Sequence, residues 1–321
     1  MRTYRILTVQ VLIHGQGIGG SVWFDRGWTL QELVAPKEVV FYGKLWYPYG
    51  TRSSIAVRLA LVARIYIEIL RADRDQIDRI LPKYSIAARM SWAAGRQTTR
   101  TEDRAYSLLG LFNVNMPLLY GEGQRAFLRL QEEILKVGTD LSILAWSHLS
   151  TSRPADKALL ADSPECLRDC HTIRRSPRLG HPFSADIAVT MSNVGLQLKG
   201  PLIMTTVESG LSGLALNLEC RFHSDATKVI GLKLDLMDRQ TSVHKAREND
   251  ILRCTAGWPY DREWQSDRRV FVDRLEAIQR SAWKTITISR NLVSAKSTRM
   301  HAANAFTHVW IRFSGVSARR T

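Results

Sequence analysis

Seven charged side chains stand where short helices are expected to begin: Arg26, Glu32, Arg96, Arg100, Glu102, Asp103 and Glu122. Two kinds of chemistry are open to such a set. Capping carboxylates can satisfy the unpaired N–H groups of helix starts while arginines pair with them across neighbouring starts, a structural role. Alternatively, helix N-termini and arginines converge on an anionic ligand such as a nucleotide phosphate, beside the hydroxyl of Thr99. Tyr106 and Tyr120 would then stack on its base or ribose. Other chemistry is poorly supported. No Ser-His-Asp order, H-E-x-x-H helix, Walker loop or kinase signature occurs, and the eight histidines are scattered. Cys166, Cys170 and His171 form part of a zinc-like pattern, but a structural site needs four ligands and Cys220 and Cys254 are distant, so ordinary thiols and no metal are expected. Gly15, Gly17 and Gly20 satisfy G-x-G-x-x-G after a strand-like run at 5–13. The next helical pattern starts only near Thr29 and stops at Pro36, so no regular βαβ unit is spelled out and a glycine-rich surface turn is expected.

The elements that must position these residues lie mostly within 85–146. Ser85 is a candidate N-cap for a helix that Gly95 stops. Thr99 and Glu102 have capping-box spacing, and Ala105, Leu108, Leu109 and Phe112 behind them follow an amphipathic repeat. After the loop Tyr120-Gly121-Glu122-Gly123, a third helix is expected to bury Phe127, Leu130, Ile134 and Val137 and to end at Gly138. Upstream, Thr29 and Glu32 suggest a capping box, Val39 to Tyr42 a strand, and 55–70 one long amphipathic helix. Trp28, Trp92 and Tyr106 read as core aromatics.

Several multi-residue motifs in this region, WFDRGWTLQELVAP and RMSWAAGRQTTRTEDRAYSLLGLFNVNMPLLYGEGQRAFLRLQEEI, resemble the fungal heterokaryon-incompatibility (HET) domain family. LLADSPECL followed by SNVGLQL resembles the region that trails such domains. The resemblance covers roughly 21–146. It implies a heterokaryon (vegetative) incompatibility-type protein, a cell-death signalling and interaction module that works through protein partners or self-association. It also implies a TIR-like fold and, as the alternative, an NAD- or nucleotide-cleaving hydrolase, with NAD as candidate cofactor; no TIR catalytic motif matches numbered residues, and Glu32 and Glu122 are no more than candidate catalytic carboxylates. The family's opening segments have no counterpart before Trp23. The chain is therefore expected to be an N-terminally shortened form with less prospect of enzyme activity, or one that rebuilds its sheet from 5–13.

Length and composition set the frame. The 321 residues, 45% of them hydrophobic, suit one large domain or two ordinary ones. A formal net charge of +15 is unusual, but residues 1–150 hold 19 basic and 13 acidic side chains and the excess continues beyond them. A spread excess gives no clustered face, so nucleic acid is not the expected partner. No stretch reaches the roughly 20 apolar residues of a membrane span, and four cysteines make no disulfide framework, which points to the cytoplasm. The expected organisation is an α+β or α/β chain. An unmatched segment at 1–20 precedes a helix-rich HET-like domain at 21–146, a linker at 147–184 and a β-rich antiparallel domain at 185–321. The period-two runs Leu214 to Phe222, Ile230 to Leu236, Ile286 with Ile288, and Val309 to Phe313 carry the last assignment. A helix is expected from Asp273 to Trp283.

Overall fold

The computed structural model describes residues 8–13, 17–147, 159–176, 189–192, 195–206, 212–236, 251–254, 269–273 and 281–289. Alternating apolar residues form β1 (Thr8–Leu12) and β2 (Glu38–Tyr42), which pair in parallel with Val11 opposite Phe41. Val11, Val39 and Phe41 are buried. A parallel pair cannot be closed by a tight hairpin. The connection includes 3-10 turns at Ile18–Gly20 and Val22–Asp25 and helix α1 (Thr29–Val34). A short βαβ crossover therefore does form, contrary to the sequence expectation, and Thr8–Leu12, within the run at 5–13, supplies its first strand. Strand β3 (Pro48–Thr51) adds antiparallel to β2, completing the order β1-β2-β3.

The helices are shorter than their hydrophobic periods suggest. The expected helix over 55–70 breaks into α2 (Ala56–Ala63) and α3 (Ile67–Arg71) at Arg64, whose φ of 56° is left-handed. Then come α4 (Arg74–Ile80) and α5 (Ile86–Ser91). The Ser85 cap is present: its hydroxyl accepts from the Ala88 N–H at 3.1 Å. The next expected helix divides into α6 (Asp103–Tyr106) and α7 (Leu109–Phe112). Helix α8 (Arg125–Val137) is continuous and buries Phe127, Leu130 and Ile134, but Val137 is exposed and Leu135 takes its expected place inside.

Neither expected capping box forms. Thr29 lies inside α1, after Trp28, and its hydroxyl reaches the carbonyls of Trp23 (2.6 Å) and Arg26 (2.7 Å). Thr99 is exposed, and Glu102 itself holds the cap position of α6.

The β-rich part is a seven-stranded sheet built from β5 (Val189–Met191), β6 (Gly195–Thr206), β7 (Ser212–Asn217), β9 (Lys228–Leu236), β10 (Ile251–Cys254), β11 (Arg269–Asp273) and β12 (Ser281–Ser289). It is antiparallel except for β10 beside β12. Because β10 pairs with β9 as well, the strand path closes on itself. Trp283 lies in β12, not in a helix, and the run Val309 to Phe313 lies outside the described residues.

Residues 159–176 fall within the stretch expected to be a linker, yet they are packed. Leu159, Leu160, Ala161, Leu167, Cys170 and Ile173 are buried in an apolar core that takes in both sheets. Strand β4 (Ile173–Arg175) pairs with β8 (Cys220–Phe222), and the Ile173 carbonyl accepts from the Ser85 hydroxyl at 2.7 Å. One short strand thus ties α5 to the β-rich part.

Arg52 locks the corner between β3 and α2. Its guanidinium, 4% exposed, donates to the carbonyls of Leu33 (2.9 Å), Val34 (3.0 Å), Pro36 (3.1 Å) and Ala72 (3.0 Å). These are the orphan acceptors at the ends of α1 and α3. Burial lowers its pKa, partly offset by Asp73. Replacing it with an apolar chain of similar length strands four acceptors. Arg52→Met is expected to cost about 3 kcal/mol or more by urea denaturation. A loss under about 1 kcal/mol would mean that the carbonyls find other partners.

Candidate functional site

The candidate residues divide into two groups. In the first, Glu102 at the start of α6 points into the loop of Gly121 and Gly123, accepting from their N–H groups at 2.7 and 3.0 Å. Both glycines have positive φ, 102° and 59°, a conformation that presents their N–H groups to one acceptor. Glu122, between them, is ion-paired with Arg129 of α8 and accepts from the Tyr106 hydroxyl at 2.9 Å. That hydroxyl also accepts from the Leu119 N–H at 2.7 Å. Arg129 reaches the Pro117 carbonyl as well, at 2.8 Å. Tyr120 donates to Asp103 at 3.1 Å and packs edge-on against Tyr106, 5.4 Å between centroids. Arg100 lies 4.6 Å above the Tyr120 ring.

Amphipathic packing puts these groups together. α6 and α8 press against one another, and Ala105, Tyr106, Ala126, Phe127 and Leu130 belong to the same buried core. The loop between α7 and α8 is thereby folded back over the start of α6.

The second group is buried. Arg96, 7% exposed, donates Nε to the Trp92 carbonyl (3.0 Å) and Nη1 to the Arg26 carbonyl (3.1 Å) and the Thr29 hydroxyl (3.0 Å). Its Nη2 is buried with no partner among the described residues. Burial pushes its pKa down to about 10, with Asp25 opposing the shift. Arg26 takes part through its backbone, in a parallel bridge with Gln97, and its side chain is exposed. Gly27 sits so close to Thr98 that a Cβ would fall 2.4 Å from the Thr98 methyl. The structure therefore places Arg26 and Arg96 together, and Arg100, Glu102, Asp103, Tyr106, Tyr120 and Glu122 together. Glu32, half-buried on α1, belongs to neither group, and Thr99 remains on the surface.

Sequence reasoning missed Arg129, which neutralises Glu122. Its separation of seven residues matches no helix pairing, because Glu122 lies before α8 begins. It also missed Gln31, whose side-chain amide donates to the Ser107 carbonyl and ties α1 to the end of α6.

Three titratable groups respond to this geometry. Glu102 is held below the usual carboxylate range by its own N–H and those of Gly123 and Gly121. Tyr106 is raised by burial and by its bond to Glu122, and Tyr120 by burial and by Asp103. Cys166 and His171 form no metal-holding group with other His, Cys, Asp or Glu among the described residues. The Tyr66 hydroxyl donates to the His171 carbonyl.

Comparison with known proteins places this arrangement in context. Over 150 residues, 46% of the chain, it is 40% identical to the vegetative incompatibility protein HET-E-1 of Podospora anserina. That match relates the chain to heterokaryon-incompatibility proteins. It spans 10% of the length of that relative. A family model described as a domain of unknown function (DUF8212) matches residues 125–187, from α8 through β4. No solved structure matches the chain. No helix among the described residues is long and apolar enough to cross a membrane.

The Glu102 arrangement makes a pH-dependent contribution to stability. Its folded pKa is depressed, so the stabilisation is complete well above the usual Glu value of about 4.3 and is lost as pH falls through the folded pKa. Glu102→Gln keeps an acceptor for the glycines but removes the charge. It should lower Tm at neutral pH, and the gap to wild type should narrow as melts are taken below about pH 4.3. A gap of constant size through that series would show that the charge contributes nothing.

Proposed function

We propose that this chain contributes the signalling face of a heterokaryon-incompatibility-type protein, acting in the cytoplasm through protein partners or self-association and leading to cell death. The relation to a vegetative incompatibility protein supports the biological role. The observation that most favours docking over catalysis is that each carboxylate at the start of α6 and in its loop has an internal partner. Glu102 serves two backbone N–H groups, Glu122 serves Arg129 and Tyr106, and Asp103 serves Tyr120. A general acid needs a carboxyl raised toward neutral pH, and Glu102 is shifted the other way. What this cluster leaves to solvent is Tyr120 with Arg100 over its ring, beside exposed Leu118 and Leu119. Aromatic and arginine side chains over an apolar surround are the types that dominate protein interfaces.

The ligand-binding assignment to Arg100 and Tyr120 is thus read as recognition of a protein surface. The NAD-cleaving alternative would have to rely on Glu32 or on a rearranged Glu122. Arg100→Ala should change stability by no more than about 0.5 kcal/mol, since an exposed cation–π contact is weak. The same change should abolish killing when the protein is overexpressed in a fungal host. Wild-type killing by Arg100→Ala, or a large loss of stability, would remove Arg100 from the face. Purified protein should release no nicotinamide from NAD, and release that Glu32→Ala or Glu122→Ala eliminates would replace docking by hydrolysis.

A further inference from the structure

Between Glu38 and Glu68 the chain contains no acidic residue. This stretch forms the tip of the β2–β3 hairpin and α2, and it displays a group of apolar side chains to solvent. Leu45 is 76% exposed, Trp46 59% and Leu61 80%, and Tyr47, Tyr49 and Val57 are exposed with them. Lys44, Arg58 and Arg64 are exposed in the same stretch. Strand β3, just past the hairpin tip, and α2 both approach residues 17–20. A Cβ on Gly17 would lie 3.9 Å from the Tyr49 hydroxyl, and one on Gly19 would lie 3.7 Å from a Val62 methyl.

Apolar side chains gathered at this density on a surface mark a contact. The backbone holds them out at a cost. Trp46 has a φ of 61°, a left-handed conformation that a tight turn ordinarily assigns to Gly or Asn. The turn is closed by Trp46 N–H to the Gly43 carbonyl (2.8 Å) and Gly43 N–H to the Tyr47 carbonyl (2.9 Å). Trp46 leans on Tyr42, 5.7 Å between centroids, and still presents most of its ring to water. Edge pairing with another chain is disfavoured on β3. Pro48 has no N–H to donate, and Gly50, with φ 142°, interrupts the regular strand. Glu38 sits at the opposite end of β2, about 13 Å from Tyr42, and Glu68 follows α2, four residues beyond Arg64.

We propose that this stretch of the protein docks on an anionic lipid surface. Leu45, Trp46, Tyr47 and Leu61 enter the headgroup boundary, where the amphipathic rings of Trp and Tyr are favoured. Lys44 and Arg58, with no carboxylate between them in the sequence, face the lipid phosphates. Such contact is peripheral and needs no spanning helix.

The test uses the full chain with phosphatidylcholine vesicles, with and without phosphatidylserine, in a sedimentation assay. The protein should bind the phosphatidylserine vesicles, with affinity falling as salt rises, and leave the neutral ones largely unbound. Leu45→Ser with Trp46→Gly should weaken binding at least about ten-fold, because the buried apolar area is lost. The melting temperature should hold or rise, since glycine accepts the turn's φ. Lys44→Glu with Arg58→Glu should weaken binding to the anionic vesicles by at least about ten-fold as well. Equal binding to both vesicle types, binding to neither, or unchanged binding by the Leu45 and Trp46 double variant would overturn the proposal. A concentration-dependent dimer that the same double variant dissolves, without vesicle binding, would assign the surface to a second copy and equally overturn it.

Discussion

Short helices leave more backbone groups unpaired than they pair, and this part of the protein is built from short helices. α1, α3, α6 and α7 have 6, 5, 4 and 4 residues, so almost none of their terminal carbonyls finds a partner within the helix. Ala35 and Ala72 at the ends of α1 and α3, and Glu102 and Ser107 flanking α6, are buried, where an unpaired acceptor is costly. Polar side chains from elsewhere in the chain must therefore be brought inside to satisfy them. Arg52 takes the ends of α1 and α3, Arg89 the Leu111 carbonyl, Arg96 those of Trp92 and Arg26, and Gln31 that of Ser107. Gln131 serves the Phe127 and Ala161 carbonyls and accepts from the Ala161 N–H. Apart from Arg96 with Trp92 and Gln131 with Phe127, each four residues apart, these contacts cross between elements, so satisfying the backbone and assembling the tertiary structure are largely one event.

The same constraint accounts for the charged residues that suggest a ligand site in sequence. Arg96 and Glu102 are both buried, one collecting carbonyls and the other collecting N–H groups. Their opposite charges match the opposite polarity of the groups they serve. Around Glu102, the glycine loop, Tyr106, Glu122 and Arg129 form a connected network that fixes the loop before α8, with Arg129 Nε left without a partner among the described residues. Arg100 and Tyr120, stacked at its outer edge, are the members left in contact with solvent.

Residues 159–176 extend the scheme to the β-rich part. Gln131 on α8 holds Ala161, the Trp146 indole donates to the Leu159 carbonyl, and Ser85 binds Ile173 just as β4 pairs with β8. The DUF8212 match runs over this stretch without a break. A segment rich in Ser, Pro and charge can be packed when its few apolar residues, here Leu159, Leu160, Leu167 and Ile173, all turn inward.

The sequence by itself determined the elements whose signals are local: the Ser85 cap, the strand at Val39 to Tyr42, the apolar face of α8 and the period-two strands at Leu214 and Ile230. It also carried the HET resemblance, in motifs that span several elements. Helix lengths were decided elsewhere. A hydrophobic period continues smoothly from Ile55 to Leu70 and from Ala105 to Phe112, but the backbone breaks at Arg64 and between Tyr106 and Leu109, because the same apolar positions can be buried by two short helices as well as by one long one. The partners of the charged residues were likewise settled only in three dimensions. Thr99 and Glu102 have the spacing of a capping box, yet Glu102 binds glycines 19 and 21 positions away, and Glu122 finds Arg129 across a loop. Sequence spacing specifies neighbours along one helix; it holds no information on which distant N–H or guanidinium a folded loop will bring within 3 Å.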